Sequence, residues 1–327
     1  MDSDDLTSEE KIRLLRQMLL IRRFEEKAAE MYALGNIGGF CHLYIGEEAI
    51  AVGAISAISP EDYVVSAYRD HGHCLAKGSN PKRAMAELFG RIDGLCKGKG
   101  GSMHFFDRST GFLGGYAIVG GHLPIATGVA FGLKYEEKPQ IVLCFFGEGA
   151  VNTGAFHESL NLASLWKLPI IFICENNRYG MGTPVERASS LYDISQRGSG
   201  YGIHLEQVDG MDLLKVRQSV LQAVKRARTT QAPSFLEMRT YRYMGHSMSD
   251  PSHGHYRTKE EVEKYKKNDP IQQFYKALIS DKVIKEQDFN TLNQDVLKEI
   301  EEAVAFANTS PFPPLDQLTR DLFLEET

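Results

Sequence analysis

Two continuous apolar runs constrain this chain more than any other feature. Ile141-Val142-Leu143-Cys144-Phe145-Phe146 ends at Gly147, and Pro169-Ile170-Ile171-Phe172-Ile173-Cys174 ends at Glu175. Runs without polar alternation suit parallel strands buried on both faces. Residues 154–166, between them, carry a helical pattern. Such a strand–helix–strand unit is right-handed and brings both strand C-termini to one edge of the sheet, where open α/β sheets bind ligands. The prediction is an α/β fold, a doubly wound and mostly parallel sheet.

The rest of the chain extends this pattern. Residues 62–67 and 234–241 read as further strands, and 81–89, 124–135 and 213–227 as helices. Residues 90–121 are glycine-rich and read as loop. Before them, Thr7-Ser8-Glu9-Glu10 has the wording of a capping box, followed by apolar residues at helical spacing up to a stop near Gly35. After Arg242 the texture turns polar, and 259–266, 269–279 and 287–307 read as surface helices forming a C-terminal appendage. The expected organisation is an N-terminal helix over 1–36, a main domain over 37–258 and a helical region over 259–327 packed on it. Trp166 and Leu162 share a helical face and are expected in the core. The acidic start of the chain is expected to be solvated.

Composition removes whole classes. A net charge of −6 argues against a nucleic-acid binder. The apolar runs stop far short of the ~20 residues a membrane span needs. Five cysteines make no disulfide framework. No secretory or transit wording is visible, so a cytoplasmic protein is expected. Cys41, His42, His71, His73 and Cys74 could suggest zinc, but their spacing matches no standard site.

The chemistry concentrates where the two buried strands end. Gly147-Glu148-Gly149-Ala150 closes one and Asn176-Asn177 closes the other. A carboxylate and an amide oxygen meeting there, with a backbone carbonyl nearby, make a hard oxygen site suited to Mg²⁺, which completes its shell with phosphate oxygens. Gly149 and Ala150 are read as opening the next helix, whose free N–H groups would cradle a phosphate.

Together these segments resemble the thiamine diphosphate signature, and the resemblance spreads over residues 10–320. Gly39-Phe40-Cys41-His42-Leu43, Ala67-Tyr68-Arg69-Asp70-His71-Gly72, Lys97-Gly98-Lys99-Gly100-Gly101-Ser102-Met103-His104, Leu165-Trp166-Lys167-Leu168-Pro169, Arg178-Tyr179-Gly180-Met181-Gly182-Thr183 and the run from Tyr241 to Pro251 resemble α subunits of the thiamine diphosphate-dependent 2-oxo acid dehydrogenases, the pyruvate branch above all. The resemblance implies that the Glu148 and Asn177 side chains and the Tyr179 carbonyl hold Mg²⁺. Gly149 and Ala150 would lie beside the diphosphate, with Tyr68, Arg69 and His246 at the same end of the cofactor. Ala117 and Val119 would line the aminopyrimidine, and Met181 would wedge beneath the cofactor. His42 and His71 would face the substrate channel, donating to the substrate carbonyl or shuttling protons, so that His42, His71 and His246 form the catalytic set. The resemblance also implies a β subunit completing an α2β2 heterotetramer, and a lipoyl-bearing dihydrolipoyl acetyltransferase that receives the acetyl group made from pyruvate.

Two positions depart from the family wording. Glu148 stands where Asp is usual, and its extra methylene must be absorbed by backbone, rotamer or water. Ala117 stands where Gly is usual. The alternatives are a branched-chain 2-oxo acid or acetoin dehydrogenase α subunit, a cofactor-impaired scaffold subunit, and a nicotinamide-binding oxidoreductase. Against the last, no GxGxxG follows an early strand.

Overall fold

The structure, a computed structural model, describes residues 6–251 and 253–322. The acidic residues 1–5 and Ser252 therefore lie outside the described residues. Strands β1 (Tyr63–Ala67), β2 (Phe112–Tyr116), β3 (Val142–Gly147), β4 (Ile170–Asn176), β7 (His204–Asp209) and β8 (Ser234–Arg239) form one parallel sheet in the order β2-β1-β3-β4-β8-β7. A separate two-stranded hairpin, β5 (Tyr179–Gly180) and β6 (Thr183–Pro184), follows β4. In chain order the helices are α1 (Ser8–Ala33), α2 (Glu48–Ile55), α3 (His71–Ala76), α4 (Pro81–Leu88), α5 (His122–Tyr135), α6 (Gly154–Leu165), α7 (Val185–Ala188), α8 (Leu213–Thr230), α9 (Lys259–Lys266), α10 (Pro270–Ser280) and α11 (Glu286–Thr309).

The apolar runs are continuous because each strand face has its own core. Leu143 and Phe145 of β3 and Ile171 and Ile173 of β4 join a cluster with α1, α2, α8, α10 and α11. Their neighbours Val142, Cys144, Phe146, Ile170, Phe172 and Cys174 point the other way, toward α5 and α6. With both faces covered, alternation in sequence has nothing to report. Glu25 is the one charged side chain buried on the inner face of α1, among Leu14, Leu15, Met18, Ile21, Phe24 and Ala28. The Thr7 capping box is present, with Glu10 N–H donating to Thr7 Oγ1 over 3.2 Å and Thr7 N–H donating to Glu10 Oε2 over 2.7 Å.

Several elements depart from the sequence reading. Strand β2 lies inside the stretch read as loop. It has two glycines in five residues, and a methyl group on Gly115 would sit 1.8 Å from Asp70 Oδ2. The pressure there is close packing, which leaves no apolar pattern. Strand β7 is an edge strand, largely solvent-facing, so its sequence is polar. The turn Glu148–Asn152 is 3₁₀, and α6 begins only at Gly154 behind its Thr153 cap. Gly149 and Ala150 therefore do not open an α-helix. Trp166 is 42% exposed and packs its ring against Phe131, 5.2 Å away, rather than entering the core. Among the described residues no helix is long and apolar enough to cross a membrane.

Candidate active site

The strand order reverses about β1: β2 lies on one side of it and β3 on the other, both parallel to it. Such switch points open a crevice beyond the strand C-termini. Here the crevice is a cavity of about 240 Å³. The ends of β1, β3 and β4 supply Tyr68 and Arg69, Glu148 to Ala150, and Asn177. The β5 hairpin adds Tyr179 and Met181, and the loop after β8 adds Arg242 and His246.

The oxygens expected to hold a metal converge. Glu47 Oε1 accepts from Asn177 Nδ2 at 3.0 Å, which turns Asn177 Oδ1 inward. One guanidinium nitrogen, Arg242 Nη1, donates to both Asn177 Oδ1 (3.2 Å) and the Tyr179 carbonyl (3.1 Å). These two oxygens therefore already face a common cation. Glu148 is 4% exposed and its Oε1 has no hydrogen-bond partner. Burial raises its pKa, against the pull of Arg242 and Arg69. An orphan carboxylate oxygen beside an amide oxygen and a carbonyl is an incomplete hard-oxygen shell. Mg²⁺ together with phosphate oxygens fits that deficit. Among the described residues no group of three or more His, Cys, Asp or Glu could hold a metal. A site built on a single carboxylate has to borrow its remaining oxygens from a ligand.

A second set of side chains closes the mouth. The ring of His42 lies 4.6 Å from that of Tyr68 and 5.1 Å from that of His246. Both imidazoles have a buried, unpartnered Nδ1. Burial first, then the charge of Arg69, depresses their pKa values, to about 2 for His42 and about 3 for His246. Arg69 sits between them and the sheet, donating to the Leu43 and His246 carbonyls at 2.7 and 2.8 Å. Because both histidines are held neutral, the unfolded chain takes up their protons first as pH falls below ~6.5. The protein is thus expected to lose stability below that pH. Thermal unfolding between about pH 8 and 5 checks this, since His42→Asn should flatten the loss.

The remaining expected residues divide. Val119, Gly149, Ala150 and Met181 line the crevice. Met181 is 63% exposed in a left-handed backbone conformation (φ 54°), so it is no core filler. Ala117 follows β2 and is half-buried, outside the lining. His71 is not brought to the crevice. Its ring is fully buried, with Nδ1 2.9 Å from Glu25 Oε2 and Nε2 2.9 Å from Ser102 Oγ. Cys41 and Cys74 are buried free thiols, and His73 bonds Glu175 at 3.0 Å.

Sequence reasoning passed over Glu47, Glu175, His122 and Arg242, all of which line the crevice. Arg242 lies inside the run from Tyr241 to Pro251, for which the resemblance implies a cofactor contact at His246 alone. Glu47 carried a weak signal, an acid just ahead of the apolar helix α2. It is 1% exposed, and burial raises its pKa to about 7.

The chain matches the family described as dehydrogenase E1 component over residues 16–316. It is 48% identical over 322 residues to the pyruvate dehydrogenase E1 component subunit alpha of Rhizobium meliloti (strain 1021), covering 98% of this chain and 92% of that protein. Its counterpart in Zymomonas mobilis subsp. mobilis (strain ATCC 31821 / ZM4 / CP4) is 46% identical over 318 residues, covering 97% of this chain and 89% of the relative. The Arabidopsis thaliana chloroplastic subunit alpha-3 is 43% identical over 326 residues, covering 98% and 76%.

Proposed function

The chain belongs to the dehydrogenase E1 component family, and on that premise we propose that it is the α subunit of an enzyme that oxidatively decarboxylates pyruvate and hands the acetyl group to a lipoyl group on a partner acyltransferase. The observation that carries this is the convergence of Glu148, Asn177 Oδ1 and the Tyr179 carbonyl at the switch point, beneath Arg69 and Arg242.

Thiamine diphosphate, when bound, supplies the electron sink for loss of carbon dioxide from a 2-oxo acid. The chain's own residues do the rest. Glu148, Asn177 and the Tyr179 carbonyl would hold Mg²⁺, while Arg69, Tyr68, Gly149, Ala150 and His246 would face the diphosphate. Ala117 and Val119 would border the pyrimidine, and Met181 would support the cofactor from below. His42 and His246, both neutral, offer N–H donors to the substrate carboxylate or carbonyl without placing a second positive charge there. The crowded rings of His42, Tyr68 and His246 leave room for a small substrate, which favours pyruvate over a branched 2-oxo acid.

The wall beside Val119 is left open. Ile118 is 76% exposed and Val119 49% exposed at the edge of the crevice. Apolar side chains there suit cover by a partner, and we assign that place to a β subunit in an α2β2 assembly. All five cysteines are free, which fits a reducing, cytoplasmic setting. The test is reconstitution with the β chain, Mg²⁺ and thiamine diphosphate, assaying pyruvate against 3-methyl-2-oxobutanoate. Pyruvate is expected to be turned over with the higher kcat/KM, and the chain alone to be inactive. Preference for the branched acid, or activity without the β chain, would overturn this reading.

A further inference from the structure

We propose that Glu25, His71 and Ser102 form a buried positioning set that fixes His42 at the mouth of the crevice, with His71 held as an imidazolium. The proposal rests on the reading of that crevice as the site of pyruvate decarboxylation. It assigns a use to Glu25 and Ser102, and removes His71 from the groups that could exchange protons with substrate.

The argument begins on α1. Glu25 occupies an inward position of that helix and is fully buried. A carboxylate in a core is costly unless paired. Its pair is His71, the first residue of α3, also fully buried. Glu25 Oε2 lies 2.9 Å from His71 Nδ1. On the far side of the ring, Nε2 lies 3.1 Å from the Ser102 carbonyl and 2.9 Å from Ser102 Oγ. A carboxylate and a carbonyl only accept hydrogen bonds. Ser102 Oγ can donate as well as accept, so it does not decide the protonation; the Glu25 carboxylate on Nδ1 and the Ser102 carbonyl on Nε2 do, and both contacts are hydrogen bonds only when both nitrogens carry a proton. The titratable groups facing the ring are Glu25 from α1 and Asp70, which precedes it in the chain and whose own pKa burial pushes up to about 8. Burial lowers the His71 pKa, but Glu25, Asp70 and the Ser102 carbonyl together outweigh it, and the pKa is raised.

The set grips the backbone that carries His42. Ser102 Oγ accepts the His42 N–H at 3.2 Å. Glu25 Oε1 accepts the Tyr44 N–H at 2.8 Å. Between them, the Leu43 carbonyl accepts from Arg69 Nη1. Three consecutive residues are thus pinned, and from that backbone the His42 ring projects toward Tyr68 and His246. The Phe24 and Phe105 rings pack on His71, 6.1 and 4.9 Å away, and His71 lies outside the crevice lining. His71 therefore bears on the reaction through His42, whose position it helps to set and whose pKa its charge lowers.

The experiment uses the α–β complex at saturating cofactor. Glu25→Gln keeps shape and the acceptor for Tyr44, but removes the charge that holds the imidazolium. It is expected to lower kcat for pyruvate ~10–100-fold, the range seen when a residue supporting a site ligand is lost, with KM changed far less. In a His42→Ala background the same change should cost little more, since its effect runs through His42. Ser102→Ala is the milder companion should Glu25→Gln fail to assemble, and its loss should likewise vanish on His42→Ala. Neutron diffraction from crystals of the complex should find deuterium on both ring nitrogens of His71. Full kcat in the single variants, losses that multiply onto His42→Ala, or a single deuterium on His71 would overturn the proposal. Wild-type turnover of pyruvate in the same assay judges the underlying reading separately.

Discussion

Glu148→Gln in the assembled α–β complex is expected to lower Mg²⁺-dependent affinity for thiamine diphosphate by more than ~100-fold, while leaving the metal-free protein as stable as before or more so. The two effects have opposite signs for one reason. Glu148 is 4% exposed with one carboxylate oxygen unpartnered. An ionised group in that state costs stability unless something cationic meets it. Arg242 and Arg69 supply part of the compensation, yet burial still prevails in setting its pKa. Gln keeps the length and loses the charge, so the metal-free fold is relieved of a burden. The metal loses its one anionic protein ligand. Losing a residue that merely supports a ligand already costs ~10–100-fold, and a charged ligand itself should cost more. Calorimetry with Mg²⁺ and cofactor, paired with thermal unfolding in chelator, reads both halves. Unchanged affinity would remove Glu148 from the site. Glu148→Asp keeps the charge and is expected to bind within ~10-fold of the natural chain. A natural chain that fails to bind, rescued by Asp, would instead identify a cofactor-impaired scaffold.

That such a site could be read from sequence at all depends on how local its parts are. Glu148 and Asn177 each follow directly on an apolar strand, so pattern and position coincide in a short window. Strands β3 and β4 were legible for the same reason: burial on both faces writes itself as an unbroken apolar run. Strands β2 and β7 were not. The first is governed by the fit of Gly115 against Asp70, the second by an exposed edge. Helix α3 opens on His71-Gly72-His73-Cys74, four weak helix formers, and only Leu75 and Ala76 favour a helix. It is helical because it is buried, and its Gly72 is needed because a methyl group would meet the Tyr44 ring at 2.3 Å. Glu25, Glu47 and Arg242 act across distances along the chain that no local window spans. Glu25 meets Tyr44 and His71, and Arg242 meets Asn177 and Tyr179. Their roles are consequences of tertiary packing, and the sequence shows them only as charged residues.

Arg242 carries the second large expectation. Its side chain is 1% exposed, and its nitrogens donate to the Met244 carbonyl, Asn177 Oδ1, the Tyr179 and Met181 carbonyls and the Tyr256 hydroxyl. A guanidinium has five N–H groups, and these contacts can use them all. They join the β5 hairpin, the end of β4 and the loop after β8 into one unit around the metal oxygens. Arg242→Met keeps much of the volume but leaves several buried acceptors without a donor. Breaking a buried charged set of this kind costs ~3–5 kcal/mol. Relief of repulsion between Arg242 and a bound divalent cation works the other way, at roughly 7 kcal/mol for a doubly charged ion about 5 Å away at an effective dielectric near 20. The diphosphate's negative charges cancel most of that relief, because they are also attracted to Arg242. Loss of order should therefore win. Arg242→Met is expected to lower the melting temperature by several degrees and to weaken cofactor binding more than ~100-fold. Arg242→Lys separates charge from geometry, since one ammonium with three donors cannot span both sides of the hairpin. It should recover less than half of the lost stability and leave cofactor binding impaired. If Lys restores cofactor binding fully, positive charge alone explains Arg242, and the fork that aligns Asn177 with Tyr179 is incidental.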